Sequence, residues 1–254
     1  MSGGEHKERP AKATGPLKMD NPLLVQWEYA SEERLAVRNA TYRALVEGKN
    51  AEEVLFAAVT EAAPKRILDV GCGTGELAER IQQELRADVI ALDISPRMVD
   101  LTRSRGVEAV LGDVQQLPFP DGEFDCVTAA WILYHVPDLE QGISELARVL
   151  RPGGTLVAST VGEGNLRELW ELIGDRATSE LTFGPANGEE ALAREFGSVE
   201  AREAVGTVVF PDRASMHRLV AATITRAHLA DRVPEISEPF RARTSHVVFV
   251  ARKA

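Results

Sequence analysis

The chain has 254 residues, 44 % hydrophobic and 27 % charged, which suits one α/β domain with an appended part and a core that needs neither disulfides nor a structural metal. A formal net charge of −10, with no long Lys/Arg run, argues against a nucleic-acid surface. The two cysteines, Cys72 and Cys126, stand outside any CxxC spacing, so they read as small buried residues of a reducing, cytoplasmic setting rather than as zinc ligands.

The opening MSGGEHKERPAKATGPLKMD has no apolar core, so residues 1–20 are expected to be a disordered leader and not a signal peptide. No apolar run reaches the ~18 residues of a membrane-spanning helix, and no membrane partner is expected. From Asn21 to Ala63 the apolar spacing is helical, with Leu35, Val37, Tyr42 and Leu45 on one stretch that Gly48 stops. Asn50, with Glu53 three residues on, predicts a capped second helix carrying Val54, Leu55, Ala58 and Val59.

Alternating units follow. RILDV is short and almost wholly apolar, as expected of a strand covered on both faces. ELAERIQQEL places Leu77, Ile81 and Leu85 at helical intervals. DVIALD is a second strand. Ser95 and Pro96 then open a helix. VEAVLGD, FDCVTAAWIL and TLVAST are three further strands. A turn-rich loop, PFPDGEFD, precedes the second of these. A helix opened by Asp138 and Gln141 and broken at RPGG precedes the third.

After Thr160 the alternation ends. Asn165 with Glu168 predicts another helix, SVEAREAVGTVVF a long strand, Ala214–Leu229 a helix and TSHVVFVARK a last strand. The expected fold is therefore α/β: a doubly wound, Rossmann-like, seven-stranded sheet. Five strands are of parallel type, and a late pair, one of them antiparallel, is added at one edge. The expected divisions are a leader at 1–20, a helical lid at 21–63, a ligand-binding core at 64–160, and at 161–254 substrate-side helices with the last two strands of the same sheet.

The first strand ends in LDVGCGTG, at the edge where parallel sheets bind ligands. A phosphate loop would need a Lys after the glycines, and none follows. A dinucleotide site would need G-x-G-x-x-G; the spacing here is G-x-G-x-G, and Glu76 stands at the next helix N-terminus, where a carboxylate opposes a pyrophosphate. Taken alone, the glycines are also compatible with a plain turn. They have company at the ends of the next two strands. Asp93 is placed to accept from a ribose diol, and Asp113 to meet an adenine amino group.

LDVGCGTG, ALDIS, GDVQQLPFPDGEFD and ELARVLRPGGTL together resemble the successive motifs of class I S-adenosylmethionine-dependent methyltransferases, in the methyltransferase type 11 branch of small-molecule enzymes. The resemblance covers about Arg66–Thr160. It implies S-adenosyl-L-methionine as cofactor. Gly71, Gly73 and Gly75 would lie against its methionine part, and Asp69 would orient that loop and hold the ammonium through water. Asp93 would take the ribose, Ile94 and Met98 would flank the adenine, Asp113 and Val114 would read its edge, and Ala130 and Trp131 would line the sulfonium end. A cationic cofactor without phosphate also suits an acid-rich cleft.

Methyl transfer mainly requires alignment, and a base only where the nucleophile must lose a proton. His135 in WILYHVPD is the candidate base, the alternative being that it fixes its loop. Tyr134, Trp27 and Tyr29 are candidates to line the substrate, as are Trp170 and Met216 on later helices; each is also compatible with plain packing. No N/D-P-P-Y/F follows the fourth strand, and no acidic metal triad is evident, so no metal is expected. The expected activity is methyl transfer to an oxygen or nitrogen of a small molecule, by a monomer or homodimer. The alternatives are carbon methylation of a quinone-like ring and a cofactor-binding module without catalysis.

Overall fold

The computed structural model describes residues 19–29, 31–175 and 181–254, with the backbone only for Leu24, Gln26 and Trp27. Residues 1–18 of the expected leader lie outside that range. Two helices, α1 (Pro22–Glu28) and α2 (Glu33–Leu45), lead into a three-residue strand β1 (Val46–Gly48) and a helix α3 (Ala51–Ala62). Asn50 caps α3, its side-chain oxygen accepting the Glu52 N–H at 2.8 Å. Glu53 does not complete a capping box and pairs with Arg80 instead. The alternating core comprises β2 (Arg66–Val70), α4 (Glu76–Leu85), β3 (Asp88–Asp93), α5 (Pro96–Ser104), β4 (Glu108–Leu111), β5 (Phe124–Ala130), α6 (Leu139–Val149) and β6 (Leu150–Val161). Then come α7 (Arg167–Leu172), α8 (Gly188–Ala193), β7 (Ser198–Phe210), α9 (Arg213–Ala222) and β8 (Phe240–Arg252).

The strands form one sheet in the order β1-β7-β8-β6-β5-β2-β3-β4. Strands β2 to β6 pair in parallel, and β8 runs antiparallel to both β6 and β7. The doubly wound core and the late pair with one antiparallel member match the expectation. The count of seven is corrected to eight. Val46–Gly48 leaves the helix and pairs antiparallel with β7, because Gly48 sits at φ +93° opposite Gly206 and the two backbones meet where a Cβ on Gly48 would stand 3.4 Å from the Gly206 Cα.

Three other boundaries move. RPGG ends α6 but lies within β6 as a bulge: Phe124 to Cys126 on β5 faces Leu150 to Thr155 on β6. Asn165 and Glu168 do not cap α7. The Asn165 carboxamide accepts from Ser245 N–H and donates to the Tyr42 hydroxyl, while Glu168 accepts from Arg243 N–H. The helix predicted to run to Leu229 ends at Ala222, and Ala227–Arg232 forms a separate 3-10 turn.

Period-two alternation divides the core strands between two layers. Leu68, Val70, Ile90, Leu92, Val127 and Leu156 pack on the face that α6 and α8 cover. Ile67, Val89, Ala91, Cys126 and Val157 pack on the face that α3, α4 and α5 cover. Ile67 and Leu68 are fully buried, each contributing about 1.5–3 kcal/mol by leaving water. A third apolar cluster joins α7, α9 and β7 and lies under α2. Cys72 and Cys126 are both buried free thiols.

Candidate active site

Strand order reverses between β2 and β5, and the crevice at their carboxyl ends opens into a cleft of about 2140 Å³. The Gly71–Gly75 loop leaves β2 there. Its first two amides, of Gly71 and Cys72, donate to the Leu92 carbonyl at 2.7 and 3.1 Å. Gly71 and Gly75 have φ of +69° and +80°. A Cβ on Gly71 would stand 2.3 Å from the Ile132 side chain, and one on Gly75 would stand 2.6–2.9 Å from Thr102 on α5. Gly75→Ala is therefore expected to destabilise the fold by about 1–3 kcal/mol, since it combines left-handed strain with overpacking. A urea denaturation midpoint equal to the parent's would contradict this.

The three strand-end acids have different surroundings. Asp69, the fourth residue of β2, is 1 % exposed. Its Oδ1 accepts the Thr128 hydroxyl at 2.6 Å, while its Oδ2 is buried with no hydrogen-bond partner among the described residues. Burial pushes its pKa up to about 7, the Thr128 hydrogen bond offsetting part of the rise. Asp93, at the end of β3, holds two backbone amides, Gly73 N–H on Oδ2 at 2.9 Å and Ser95 N–H on Oδ1 at 2.8 Å. Desolvation raises its pKa too, against these hydrogen bonds. Asp113 turns its carboxylate onto Gln115, accepting from both its backbone N–H and its carboxamide. Glu76 is ion-paired to Arg43 at 2.8 Å and Arg105 at 3.4 Å, so its opposition to a pyrophosphate is largely cancelled. The preference for a cation rests instead on buried Asp69 and Asp93.

Ile94 is 57 % exposed and borders the cleft beside Asp93, and Val114, Ala130 and Trp131 border it as well. Met98 does not. It belongs with Val99 and Thr102 to the face of α5 turned into the protein, and it is fully buried. Four residues before Thr102, it shares the face that seats Thr102 against Gly75, and that face is buried in the protein, away from the cleft.

The N-terminal segment borders the cleft and meets the core through polar contacts. Ser95 Oγ donates to the Tyr29 carbonyl at 2.8 Å. Arg97 pairs with Glu32 at 2.6 Å, and Arg38 bridges Glu28 and the Ala222 carbonyl. His135 takes part in these contacts. Its Nδ1 lies 2.8 Å from the Met19 carbonyl, which can only accept, so Nδ1 carries the proton. Its Nε2 then accepts the Tyr29 hydroxyl at 3.1 Å. Burial lowers the imidazole pKa to about 4, so the ring is neutral at pH 7. Both nitrogens are occupied, an arrangement that fits the alternative expectation, in which His135 fixes its loop, and in which it would act as a latch on Tyr29. Tyr29→Phe and His135→Ala should each speed release of bound cofactor about fivefold, the worth of one neutral hydrogen bond. The double variant should release it no faster than the faster single one; additive effects in stopped-flow fluorescence would break the latch.

Deeper in the cleft, Trp131 has φ of +57°, a conformation bulky side chains rarely hold. Its N–H donates to Ser159, and its indole Nε1–H donates to His246 Nδ1 at 3.1 Å. His246 also meets the ring of Tyr42 edge-on, with centroids 5.5 Å apart. Tyr29, Tyr134 and Trp170 border the same cleft, as do Leu219 and Arg38. Arg226 stacks over Trp170 and pairs with Asp175. Met216 is corrected: it is fully buried between α9 and β7, on the face of α9 that includes Ser215 and Val220. The Trp27 side chain lies outside the described residues. Sequence reasoning missed His246. The available signal was the antiparallel direction of β8, which brings the start of that strand to the carboxyl end of β6 (Val161 opposite His246).

With this geometry in place, comparison with known proteins identifies the core. Residues 68–158 match the methyltransferase domain family. One relative, a malonyl acyl-carrier-protein O-methyltransferase of Serratia marcescens, is 38 % identical over 114 residues, 43 % of this chain and 44 % of that protein. Another, a demethylmenaquinone methyltransferase of Thermus thermophilus, is 44 % identical over 104 residues, 38 % of this chain and 47 % of that protein. The chain thus spans about half the length of these curated relatives. The crystal structure of the cyclase SpnF superposes with a TM-score of 0.60 at 19 % identity, covering 96 % of this chain and 99 % of that one, so the same fold extends beyond the matched domain. The core of this chain, residues 68–158, is thus similar in sequence to methyltransferase domains.

Proposed function

We propose that the protein transfers a methyl group from S-adenosylmethionine to an oxygen or nitrogen of a small-molecule acceptor. The observation that carries this reading is the orphaned Oδ2 of Asp69, buried beside the glycine loop at the strand-order reversal. A buried carboxylate oxygen without a partner is costly, and a ligand ammonium satisfies it. Asp69 would hold the ammonium, Gly71, Gly73 and Gly75 the methionyl backbone, and Asp93 the ribose hydroxyls through lone pairs not used by Gly73 and Ser95. Exposed Ile94 would cover one adenine face, with Asp113 and Val114 at its edge and Ala130 and Trp131 at the sulfonium.

When bound, the cofactor supplies an activated methyl group. The chain's part is alignment and exclusion of water. Residues 21–63 form the lid, 64–160 the cofactor core and 161–254 the acceptor wall. Carbon methylation of a quinone-like ring is the second reading, supported by the similarity to the Thermus thermophilus enzyme. An acceptor screen with labelled S-adenosylmethionine, read by S-adenosylhomocysteine release and by the position of the label, tests both. No release with any acceptor, despite cofactor binding, would leave a binding module.

A further inference from the structure

His246 is 7 % exposed, borders the cleft and is anchored through one nitrogen only. Because the Trp131 indole can only donate, His246 Nδ1 must be the acceptor. Burial lowers this imidazole to about pKa 4, so the ring is neutral and its one proton sits on Nε2. Nε2 has no protein partner among the described residues. It is a fixed donor at the wall of the cleft, and it is not a base. His135 cannot serve as a base either, since the Tyr29 hydroxyl occupies its Nε2.

Position places this donor on the acceptor side. Three strand spacings separate β8 from β2, roughly 14 Å, so His246 lies well beyond the glycine loop and next to Trp131. A lone amine nitrogen that accepted from Nε2–H would have its only lone pair tied up, and an ammonium would oppose the donor. An ionised oxygen has lone pairs for both the donor and the methyl group.

Building on the methyl-transfer reading, we propose that the acceptor presents an ionised oxygen, a carboxylate or phenolate, and that His246 Nε2–H positions it beside Trp131. The acceptor oxygen forms the new bond to the methyl carbon as the carbon–sulfur bond breaks with its electron pair going to sulfur. The oxyanion and sulfonium charges cancel, no proton is released, and no protein base is needed. Tyr134, whose hydroxyl has no partner among the described residues, borders the same space.

The test is calorimetry on the full chain saturated with S-adenosylhomocysteine, using naphthoate, pentafluorophenolate, naphthamide and naphthylmethylamine as probes. At least one anion should bind tenfold or more tighter than the amide and the amine, and which anion does so separates carboxylate from phenolate acceptors. His246→Phe should lose that preference while keeping S-adenosylhomocysteine affinity within twofold. His246→Gln, which retains a side-chain N–H, should recover most of it. Equal or tighter amine binding, no measurable anion binding, or an anion preference that survives His246→Phe would overturn the proposal. Failure of S-adenosylhomocysteine itself to bind the parent protein would instead remove the methyl-transfer reading.

Discussion

Asp93→Ala is expected to weaken binding of S-adenosylhomocysteine by about 30-fold to 1000-fold, equivalent to about 2–4 kcal/mol. The carboxylate has a structural part beside the ribose role proposed for it. It holds Gly73 N–H of the glycine loop and Ser95 N–H at the start of α5, both at under 3 Å. Hydrogen bonds to charged groups contribute about 1.5–3 kcal/mol each, and deleting the acceptor leaves two amides to be satisfied elsewhere. Ser95 in turn holds the Tyr29 carbonyl, so the loss reaches the lid. Asp93→Asn retains one acceptor oxygen and should lose less than the alanine variant. Calorimetric affinities indistinguishable from the parent's in both variants would displace Asp93 from the cofactor site.

The second large effect concerns pH. Cofactor affinity should rise up to tenfold per pH unit between about pH 5 and pH 7 and level off above. The sign follows from Asp69, whose pKa burial has raised to about 7 in the ligand-free protein. A bound ammonium favours the carboxylate and lowers that pKa, so below pH 7 binding must expel a proton, and affinity falls with acidity. The same group lowers the stability of the ligand-free fold as pH rises from the ordinary carboxylate range to about 7, because over that window the folded state binds the more protons. Asp69→Asn should abolish both dependences and weaken the cofactor at every pH. An affinity that stays flat from pH 5 to pH 7 in the parent protein would refute the assignment.

Much of this site was legible because its signals are local. The glycine spacing, Asp113 and the capping residues Asn50 and Asp138 each act within a few residues, through turn geometry and backbone hydrogen bonds, and Asp93 stands out as an acid at a strand end. Met98 and Met216 were misplaced because a helix shows its period in sequence but not the compass direction of its faces. The seating of Thr102 against Gly75, a tertiary contact, rotated α5 and buried Met98. β1 was missed because three residues carry no periodicity, and its existence depends on a glycine 158 positions away at Gly206.

The succession and parallel direction of the core strands and the place of the glycine loop were determined by sequence alone, since alternation and turn residues are written in short stretches, and the cationic cofactor was implied by the resemblance of those motifs. The roles of the two cleft histidines were decided only in three dimensions. His135 receives its Tyr29 partner from 106 residues away, and His246 its Trp131 partner from 115 residues away. The Met19 carbonyl, which can only accept, and the Trp131 indole, which can only donate, dictate which ring nitrogen bears the proton, and the latch and donor roles proposed for the two histidines follow from that choice.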